Sequence, residues 1–391
     1  MPHSTFTRAL VLVLAVLLAG IPSTGSSAEP YQIDAIVSLT GQVAFIGQSQ
    51  AQTLRAIEET VNKTGGIGGR PLRIVISDDQ STPRVAVQLA TQAIANKDNV
   101  IFGPGFTANC NAVLPLVKDG PFEYCLSPGI HPTSGYAFSA SVSTGDLVAA
   151  GIRYFRLRGW TRLAVIIATD ASGQDVEHGI RVALALPENK TMDVVAFEHF
   201  NPTDLSVAAQ MSNIKTAKPQ VLITWGTGTP EGTLLRGVAD AALDIPVFTS
   251  AANLTYAQMK TYGDFLPKQI LFPGSPVLVP DQLPRGAVKN SVMQFLKAFE
   301  NSGVRPDIGQ AIAWDPVFIV IDALRKLGTN ATPLQIRDYV ANMHGWSGIS
   351  GVYDFRAVPQ RGIDINAVMI VRWDPAKGTW VGVSKPGGVP L

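Results

Sequence analysis

The sequence predicts an α/β protein made of two doubly wound, parallel-sheet lobes that are joined by three hinge crossings. Short apolar runs alternate with helical segments along most of the chain, which is the pattern of strand–helix–strand units. This alternation restarts after a small, polar stretch near residues 139–145, which indicates a second sheet. The chain of 391 residues is also long enough for about two domains of ordinary size.

Residues 1–28 are predicted to be a secretory signal that is cleaved. The apolar run 9–19 is too short to span a bilayer, and 26–28 carries the small residues of a cleavage site. A membrane anchor is the alternative interpretation, but the short run disfavours it. Ile21 stands where a bacterial lipoprotein would need cysteine. The mature protein is therefore expected in the periplasm, soluble and without a lipid anchor.

The start of the first lobe is predicted from strands that alternate with amphipathic helices. Leu54, Ile57 and Val61 recur at helical spacing before Gly65-Gly66 ends the first helix. Thr82-Pro83 is typical of a helix start, with a capping threonine and a first-turn proline. The predicted order is a strand at 31–38, the first helix, a strand at 71–77 and a helix that ends near residue 96.

The segment 101–132 is predicted to carry the centre of a ligand site. Two apolar runs, 99–102 and 122–126, are expected to be buried parallel strands with a helical segment between them. Glycines in 103–105 turn the chain after the first strand, and Thr107 is expected to cap the helix that follows. Open parallel sheets bind ligands at the carboxyl ends of their strands, where free N–H groups suit an anion.

The rest of the chain is predicted to build the second sheet and then to return to the first lobe. Helices near 286–301, 309–327 and 333–343 have no strands between them, so they need a sheet face to cover. A closing hairpin is expected at 363–373 and 379–383. The other predicted strands are 163–168, 194–197, 221–225 and 247–250, with helices near 146–157, 174–186, 204–217 and 231–242.

Charge and cysteine content limit the classes of function. With 31 basic and 30 acidic side chains, the protein has no electrostatic bias towards nucleic acid or an anionic membrane. Cys110 and Cys125 can form a disulfide in an oxidising compartment, whereas in a reducing one they would be buried thiols. The sequence has no CxxC pair and no zinc-ligand spacing, so no metal and no cofactor are expected.

The possible catalytic motifs fail in their structural context. Residues 47–51 nearly match a nucleophile elbow, but an elbow places its serine directly after a strand, and here a long loop precedes Ser49. The glycine run 65–69 closes a helix rather than opening one, so it is neither a dinucleotide fingerprint nor a phosphate loop. We therefore expect no enzyme and no catalytic residue.

Four short motifs of the first lobe occur at a spacing that a known family shares. They are Leu39-Thr40-Gly41 with Gly47, the run 65–72, Asp78-Asp79-Gln80 and Ser127-Pro128-Gly129. In these motifs the chain resembles the periplasmic solute-binding proteins of the leucine/isoleucine/valine-binding type, which serve ABC importers. The match is specific in the first lobe and mainly architectural in the second.

The resemblance implies the type I periplasmic binding protein fold, in which two lobes close on a ligand like a hinged clamp. With the predicted crossings, the first lobe would comprise residues 29–139 and 276–349, and the second lobe residues 140–275 and 350–391.

The resemblance also implies which residues hold the ligand. In the first lobe, Thr107 with Gly105, Gly129 and the His131 side chain would hold a carboxylate, and Phe45 or Ile46 would pack over the ligand. Asp170 and Asp175 are expected to serve helix starts instead. The second-lobe residues expected at the ligand are Ser172, Gly173, Trp225, Thr227, Gly228, Ala252 and Asn253.

Two departures from the family pattern bear on the ligand. His131 stands where the amino-acid binders have a small hydroxyl residue, and Ala252 and Asn253 stand where those proteins place an acid to meet the ammonium group. The expected ligand is therefore a small carboxylate, above all an aromatic one, that a monomer delivers to the membrane permease of an ABC importer. The alternatives are an amino acid, branched-chain or other, for the same kind of importer, and a ligand-sensing lobe for a membrane receptor.

Overall fold

The computed structural model of the protein describes residues 28–132 and 135–391. It contains two large, mainly parallel sheets with helices packed against them, which confirms the predicted fold class. The predicted signal lies outside the described residues, except for Ala28. Within the described ranges, no helix combines the length and the apolar character that crossing a membrane requires.

The first lobe is built on a five-stranded parallel sheet. In chain order its elements are β1 (Tyr31–Val37), α1 (Ala44–Lys63), β2 (Leu72–Asp78), α2 (Pro83–Ala95), β3 (Val100–Phe102), α3 (Thr107–Val113), β4 (Phe122–Cys125) and β5 (Ala137–Ser139). The strand order is β2-β1-β3-β4-β5. Because the order reverses at β1, the loops after β1 and β3 diverge there and leave a crevice at the strand ends.

Both faces of this sheet are covered, which explains why its strands read as continuous apolar runs. One face carries Phe122, Tyr124 and Phe138, and the ring centroids of Phe122 and Phe138 are 4.9 Å apart. The opposite face carries Ile101 and Ala137, which pack in a second apolar cluster with residues of α2 and α3.

The chain then forms most of the second lobe. Its elements are α4 (Thr144–Leu157), β6 (Arg162–Ala168), α5 (Ala171–Leu184), β7 (Asp193–Phe200), α6 (Ala208–Ala217), β8 (Val221–Trp225), α7 (Thr229–Asp240), β9 (Val247–Phe248), α8 (Tyr256–Thr261) and β10 (Ile270–Gly274). Three of the helices start at side-chain caps. Ser143 accepts a hydrogen bond from the Asp146 N–H, Asp170 accepts one from the Gly173 N–H, and Thr255 accepts one from the Gln258 N–H.

The last part of the chain returns to the first lobe and then completes the second sheet. Its elements are α9 (Ala287–Phe299), α10 (Ile308–Leu327), α11 (Pro333–Ala341), β11 (His344–Ser347), β12 (Val352–Asp354), β13 (Met369–Asp374), β14 (Thr379–Gly382), β15 (Ser384–Lys385) and β16 (Val389–Pro390). The hydroxyl of Thr53 in α1 donates to the Gln310 carbonyl in α10 at 2.9 Å. The second sheet has the order β14-β13-β10-β9-β8-β6-β7, and β13 and β14 form the expected antiparallel hairpin.

The last crossing lies later than the sequence predicts. Phe355 packs on Phe138 of the first lobe, with ring centroids 5.7 Å apart. Gln360 donates to the Ala137 carbonyl at 2.7 Å, and Arg361 donates to the Ile130 carbonyl at the same distance. The segment after residue 349 therefore stays on the first lobe as far as Arg361, whereas it was predicted to belong to the second lobe.

A disulfide between Cys110 and Cys125 joins α3 to the end of β4, with Cα atoms 6.1 Å apart and 15 residues of separation. A cross-link that closes a loop of this length is expected to stabilise the fold by about 3 kcal/mol in the chain-entropy model. The double variant Cys110→Ala/Cys125→Ala should therefore lose about this free energy of unfolding in urea denaturation. Reductant should destabilise the wild type and leave the variant unchanged. Equal stability of the oxidised wild type and the variant would contradict the prediction.

Candidate ligand-binding site

A cavity lies between the two lobes, at the carboxyl ends of strands from both sheets. The space inside it that the centre of a water molecule can reach is about 60 Å³. Its hydroxyl-bearing lining residues are Thr107, Ser127, Ser141, Thr144, Ser172, Thr227 and Ser250. The remainder are Ile46, Gly105, Phe106, Leu126, Pro128, Leu147, Trp225, Ala251, Ala252, Ile308, Gly309 and Ile312.

The first lobe offers a pair of hydroxyls to this cavity. Thr107 does not cap α3, because Phe106 occupies the capping position and Thr107 is the first helical residue. Its Oγ1 lies 2.8 Å from Ser127 Oγ at the end of β4. The peptide N–H groups of Phe106 and Thr107 have no hydrogen-bond partner among the described residues. The two strand ends therefore hold several donors close to one wall of the cavity.

The second lobe offers a matching pair. Ser172 Oγ lies 3.1 Å from Thr227 Oγ1, and the Trp225 indole N–H donates to Ser172 Oγ at 3.3 Å. This hydrogen bond fixes the indole at the end of β8, where it forms part of the cavity wall. A ligand in the cavity would thus meet hydroxyls from both lobes.

The structure brings together only part of the site that the sequence predicts. Ile46, Gly105, Thr107, Ser172, Trp225 and Thr227 line the cavity, as does Ala252. Phe45, the alternative to Ile46, is half-buried beside the cavity and does not line it. The other predicted residues that lie off the lining are Gly129, His131, Gly173, Gly228 and Asn253.

Two of these residues support the loops behind the cavity. Asn253 is buried, and its amide donates to the Gly226 carbonyl at 2.8 Å and accepts from the Gly228 N–H at 3.3 Å. Gly173 lies so close to β6 that a Cβ atom would stand 1.7 Å from the Ala168 carbonyl oxygen. Both residues therefore position strand-end loops and lie off the cavity lining.

Two glycines permit close approaches. A Cβ atom at Gly129 would lie 2.7 Å from Thr107 Oγ1, so a larger residue would displace that hydroxyl. Gly228 has a φ of +79°, and a Cβ atom there would lie 2.3 Å from the carbonyl oxygen of Gln42 in the other lobe. Gln42 also donates from Nε2 to the Thr227 carbonyl at 3.3 Å. Gly228 is therefore a contact point between the lobes.

His131 does not line the cavity and bridges the two lobes instead. Its Nε2 lies 2.5 Å from Oδ1 of Asp175, which belongs to α5 of the second lobe. Asp175 thus has a partner in the other lobe, whereas the sequence predicted a helix-start role; Asp170 does cap α5 as expected.

Sequence reasoning missed the contributions of α4 and α10. The start of α4 supplies Thr144 and Leu147, and the start of α10 supplies Ile308 and Ile312. Asp307 and Gln310 form a capping box at α10, a spacing that is readable in the sequence and could have located this helix start. The first turn of α10 faces the cavity only because of how the two lobes are placed, and the local sequence does not show that placement.

No charged side chain lines the cavity within the described residues. The nearby Glu231 is buried behind β8, where it accepts from Thr224 Oγ1 at 2.7 Å and from the Gly226 N–H at 3.1 Å. Burial raises the pKa of Glu231 to about 7, against the effect of these hydrogen bonds. Among the described residues, no cluster of three or more His, Cys, Asp or Glu side chains could hold a metal ion.

Comparisons with known proteins agree with this architecture. A model of the periplasmic binding protein family matches residues 30–379. The leucine-, isoleucine-, valine-, threonine- and alanine-binding protein of Pseudomonas aeruginosa is 28% identical over 248 residues, which are 60% of this chain and 63% of that protein. The match thus spans less than two thirds of the relative's length.

Solved structures share the fold at lower identity. A solute-binding protein of an ABC transporter from R. palustris, in complex with 4-hydroxybenzoate, has a TM-score of 0.76 and 18% identity over 90% of this chain and 95% of that one. LivJ of Streptococcus pneumoniae, a branched-chain amino acid transporter substrate-binding protein in complex with isoleucine, has a TM-score of 0.73 and 16% identity over 90% of this chain and 100% of that one. Since the family model covers most of the sequence, the chain belongs to the periplasmic binding protein family.

Proposed function

We propose that this protein is an extracytoplasmic solute-binding protein that captures a small carboxylate, most of all an aromatic one, and delivers it to the membrane permease of an ABC importer. The observation that carries the proposal is the inter-lobe cavity, whose described lining combines hydroxyls and apolar side chains without a charged group. The predicted signal segment supports export from the cytoplasm.

The donors around Thr107 favour a carboxylate. The Thr107 and Ser127 hydroxyls and the unpaired N–H groups of Phe106 and Thr107 can each donate to an oxygen atom. Hydrogen bonds to an ionised acceptor are stronger than those between neutral groups, so converging donors can replace the water that a carboxylate loses on entry.

The described lining offers an ammonium group no comparable partner, and the unpaired Asp175 Oδ2 lies off this lining, 3.3 Å from where a Cβ atom at Gly129 would stand. Within the described lining there is no carboxylate, and the acceptor of Asn253 is already used inside the second lobe. A buried ammonium without a counter-charge costs several kcal/mol. This argument favours an acid that lacks an α-amino group.

Flat apolar surfaces support the aromatic part of the proposal. Phe106 and Trp225 both line the cavity, together with Leu126 and Ile312. Aromatic rings prefer offset or edge-to-face contacts with one another, and such pairs add about 0.5–1.5 kcal/mol to the effect of burial. The 4-hydroxybenzoate complex of the R. palustris protein shows that this fold accommodates such a ligand.

An amino acid is the second candidate. The Pseudomonas relative is named for leucine, isoleucine, valine, threonine and alanine, and the pneumococcal structure contains isoleucine. The apolar side chains of Ile46, Ile308 and Leu147 could pack against an aliphatic side chain. In that case the ammonium group would have to be met by backbone carbonyls.

A thermal-shift panel separates the two candidates. Benzoate, 4-hydroxybenzoate and a phenylpropanoid acid should raise the melting temperature of the mature protein, since a ligand that binds only the folded state stabilises it. Leucine, isoleucine and valine should have little effect. Stabilisation by the amino acids alone would favour the second candidate. Mass spectrometry of co-purified ligand provides an independent identification.

The variant Thr107→Val tests the carboxylate contact, because valine keeps the shape and removes the hydroxyl. We expect the acid that stabilises the wild type to bind about 1–3 kcal/mol more weakly, the usual cost of a lost partner for a charged group. Isothermal titration calorimetry measures the change. Thr91→Val is the matched control, since Thr91 is exposed on α2 and its hydroxyl donates only to the Val87 carbonyl. Equal affinity of Thr107→Val and wild type would exclude this contact.

A further inference from the structure

His131 and Asp175 are two ionisable side chains that form a bridge between the lobes. His131 follows β4 in the first lobe, and Asp175 lies in the first half of α5 in the second lobe. Their Nε2 and Oδ1 atoms are 2.5 Å apart. The bridge can exist only while the lobes are together.

The two partners differ in their exposure. The Asp175 side chain is 10% exposed, whereas that of His131 is 61% exposed. The second carboxylate oxygen, Oδ2, is buried and has no hydrogen-bond partner among the described residues. Closure therefore removes much of the water around Asp175 and gives it the His131 imidazole as its partner.

Charged side chains from neighbouring elements lie around the bridge. Arg361 is the other charged group that faces His131, and it donates to the carbonyls of Ile130 and Ser141 at 2.7 and 3.1 Å. The negative charges of Asp146 and Asp175 interact electrostatically with the Arg361 guanidinium, and the charge of Asp364 interacts with Asp146. A positive guanidinium and two further carboxylates thus lie around the bridge, and Asp175 is the acid that is bonded to His131.

We propose that His131 and Asp175 form a latch across the cleft, which holds the lobes together and makes closure depend on pH. The latch joins groups outside the cavity lining, so it acts on the closed state whatever the ligand is. It goes beyond the proposed function, which concerns what the cavity binds.

The direction of the pH effect follows from the partner that His131 gains. The hydrogen bond and the negative charge of Asp175 raise the pKa of His131 in the closed state, while burial and Arg361 act in the opposite direction. In the open state the bridge is absent, and an unperturbed histidine has a pKa of about 6.5. The stabilisation of the closed state is thus fully present below this value, and it is lost as pH rises through the raised closed-state pKa.

A second histidine provides a matched control. His199 Nε2 lies 2.8 Å from Glu177 Oε2, but both residues belong to the second lobe, in β7 and α5. This pair has the same chemistry without crossing the cleft. Its loss should leave the closure equilibrium unchanged.

The first measurement is small-angle X-ray scattering on the ligand-free, full-length mature chain at pH values below 6.5 and well above it. We expect the ratio of closed to open wild-type protein to be about two- to fivefold higher at low pH, the range measured for exposed ion pairs. His131→Gln and Asp175→Asn should remove this difference, and His199→Gln should retain it. Identical wild-type scattering at both pH values, or a pH effect that survives in His131→Gln, would overturn the latch.

Imidazole NMR supplies a second readout that depends on the bridge itself. The His131 titration midpoint should fall in Asp175→Asn relative to the wild type, because the hydrogen bond that favours the imidazolium is lost. An unchanged midpoint would show that the two side chains do not pair in solution, and the latch would be rejected. Neither measurement uses a ligand, so these outcomes are separate from those that test the proposed carboxylate.

Discussion

Glu123→Met is expected to raise the free energy of unfolding, and the gain should grow with pH. Glu123 is fully buried in β4, between Ile101 of β3 and Ala137 of β5. Its side chain lies on the sheet face that α2 and α3 cover with apolar residues. Neither carboxylate oxygen has a hydrogen-bond partner among the described residues. Methionine has a similar length and carries no polar oxygen.

The pH dependence follows from the difference in the protonation of Glu123 between the folded and the unfolded state. Burial raises the pKa of Glu123 well above its ordinary value of 4.5, so the folded state keeps the proton after the unfolded chain has lost it. The wild type therefore loses about 1.4 kcal/mol of stability for each pH unit above the unfolded value, until the folded state also ionises. Between pH 5 and pH 8 the advantage of the variant should therefore increase with pH, with a slope no steeper than this.

Urea denaturation of both proteins across this pH range measures the effect. The matched control is Glu300→Gln, because Glu300 is exposed at the end of α9 and makes no ion pair within the described residues. That substitution should shift stability by a few tenths of a kcal/mol at most. A stability difference between Glu123→Met and the wild type that does not change with pH would show that the carboxyl is solvated or paired in the folded protein.

The alternating fold could be predicted because its long elements carry strong local signals. The helices α1 and α10 repeat apolar residues at helical spacing, and Asp307 with Gln310 marks the start of α10. Some short strands, such as β5 and β10, were missed, whereas β3, β4 and β9 were predicted. The strand β10 contains Pro273, which normally argues against a strand, but β9 pairs only with Ile270 and Leu271 and stops short of the proline.

The site could be predicted where it depends on one strand and the loop that follows it. Thr107, Ser172 and Thr227 each follow a parallel strand, and such ends meet at one edge of a sheet. Residues such as Ile308 reach the cavity only because a distant helix returns to the first lobe. His131 was expected at the ligand from the family resemblance. Its contact with Asp175 was missed, because Asp175 is 44 residues away and in the other lobe and no local pattern signals the contact.

Gly228→Ala is expected to prevent the lobes from closing. The closed structure places the Gln42 carbonyl oxygen 2.3 Å from where the new methyl group would be. Both loops are held within their own lobes, because the Gly228 N–H donates to Asn253 Oδ1 and the Val43 N–H donates to Ser81 Oγ, each at 3.3 Å. The φ of +79° adds strain for any residue with a Cβ atom. Real Cβ atoms do not approach a carbonyl oxygen so closely, so the loops must separate and the cavity must open. We expect ligand affinity to fall about 100-fold or more, which corresponds to roughly 3 kcal/mol.

The measurement is ligand-induced compaction by small-angle scattering, together with calorimetric affinity for the acid that stabilises the wild type. Gly159→Ala separates strain from the clash between lobes. Gly159 also belongs to the second lobe and has a φ of +76°, but a Cβ atom there would meet no atom within 4 Å. This control should lose some folding stability and bind normally, because it strains the backbone without touching the first lobe. If Gly228→Ala compacts and binds as Gly159→Ala does, the contact between Gly228 and Gln42 is not part of the ligand-bound state.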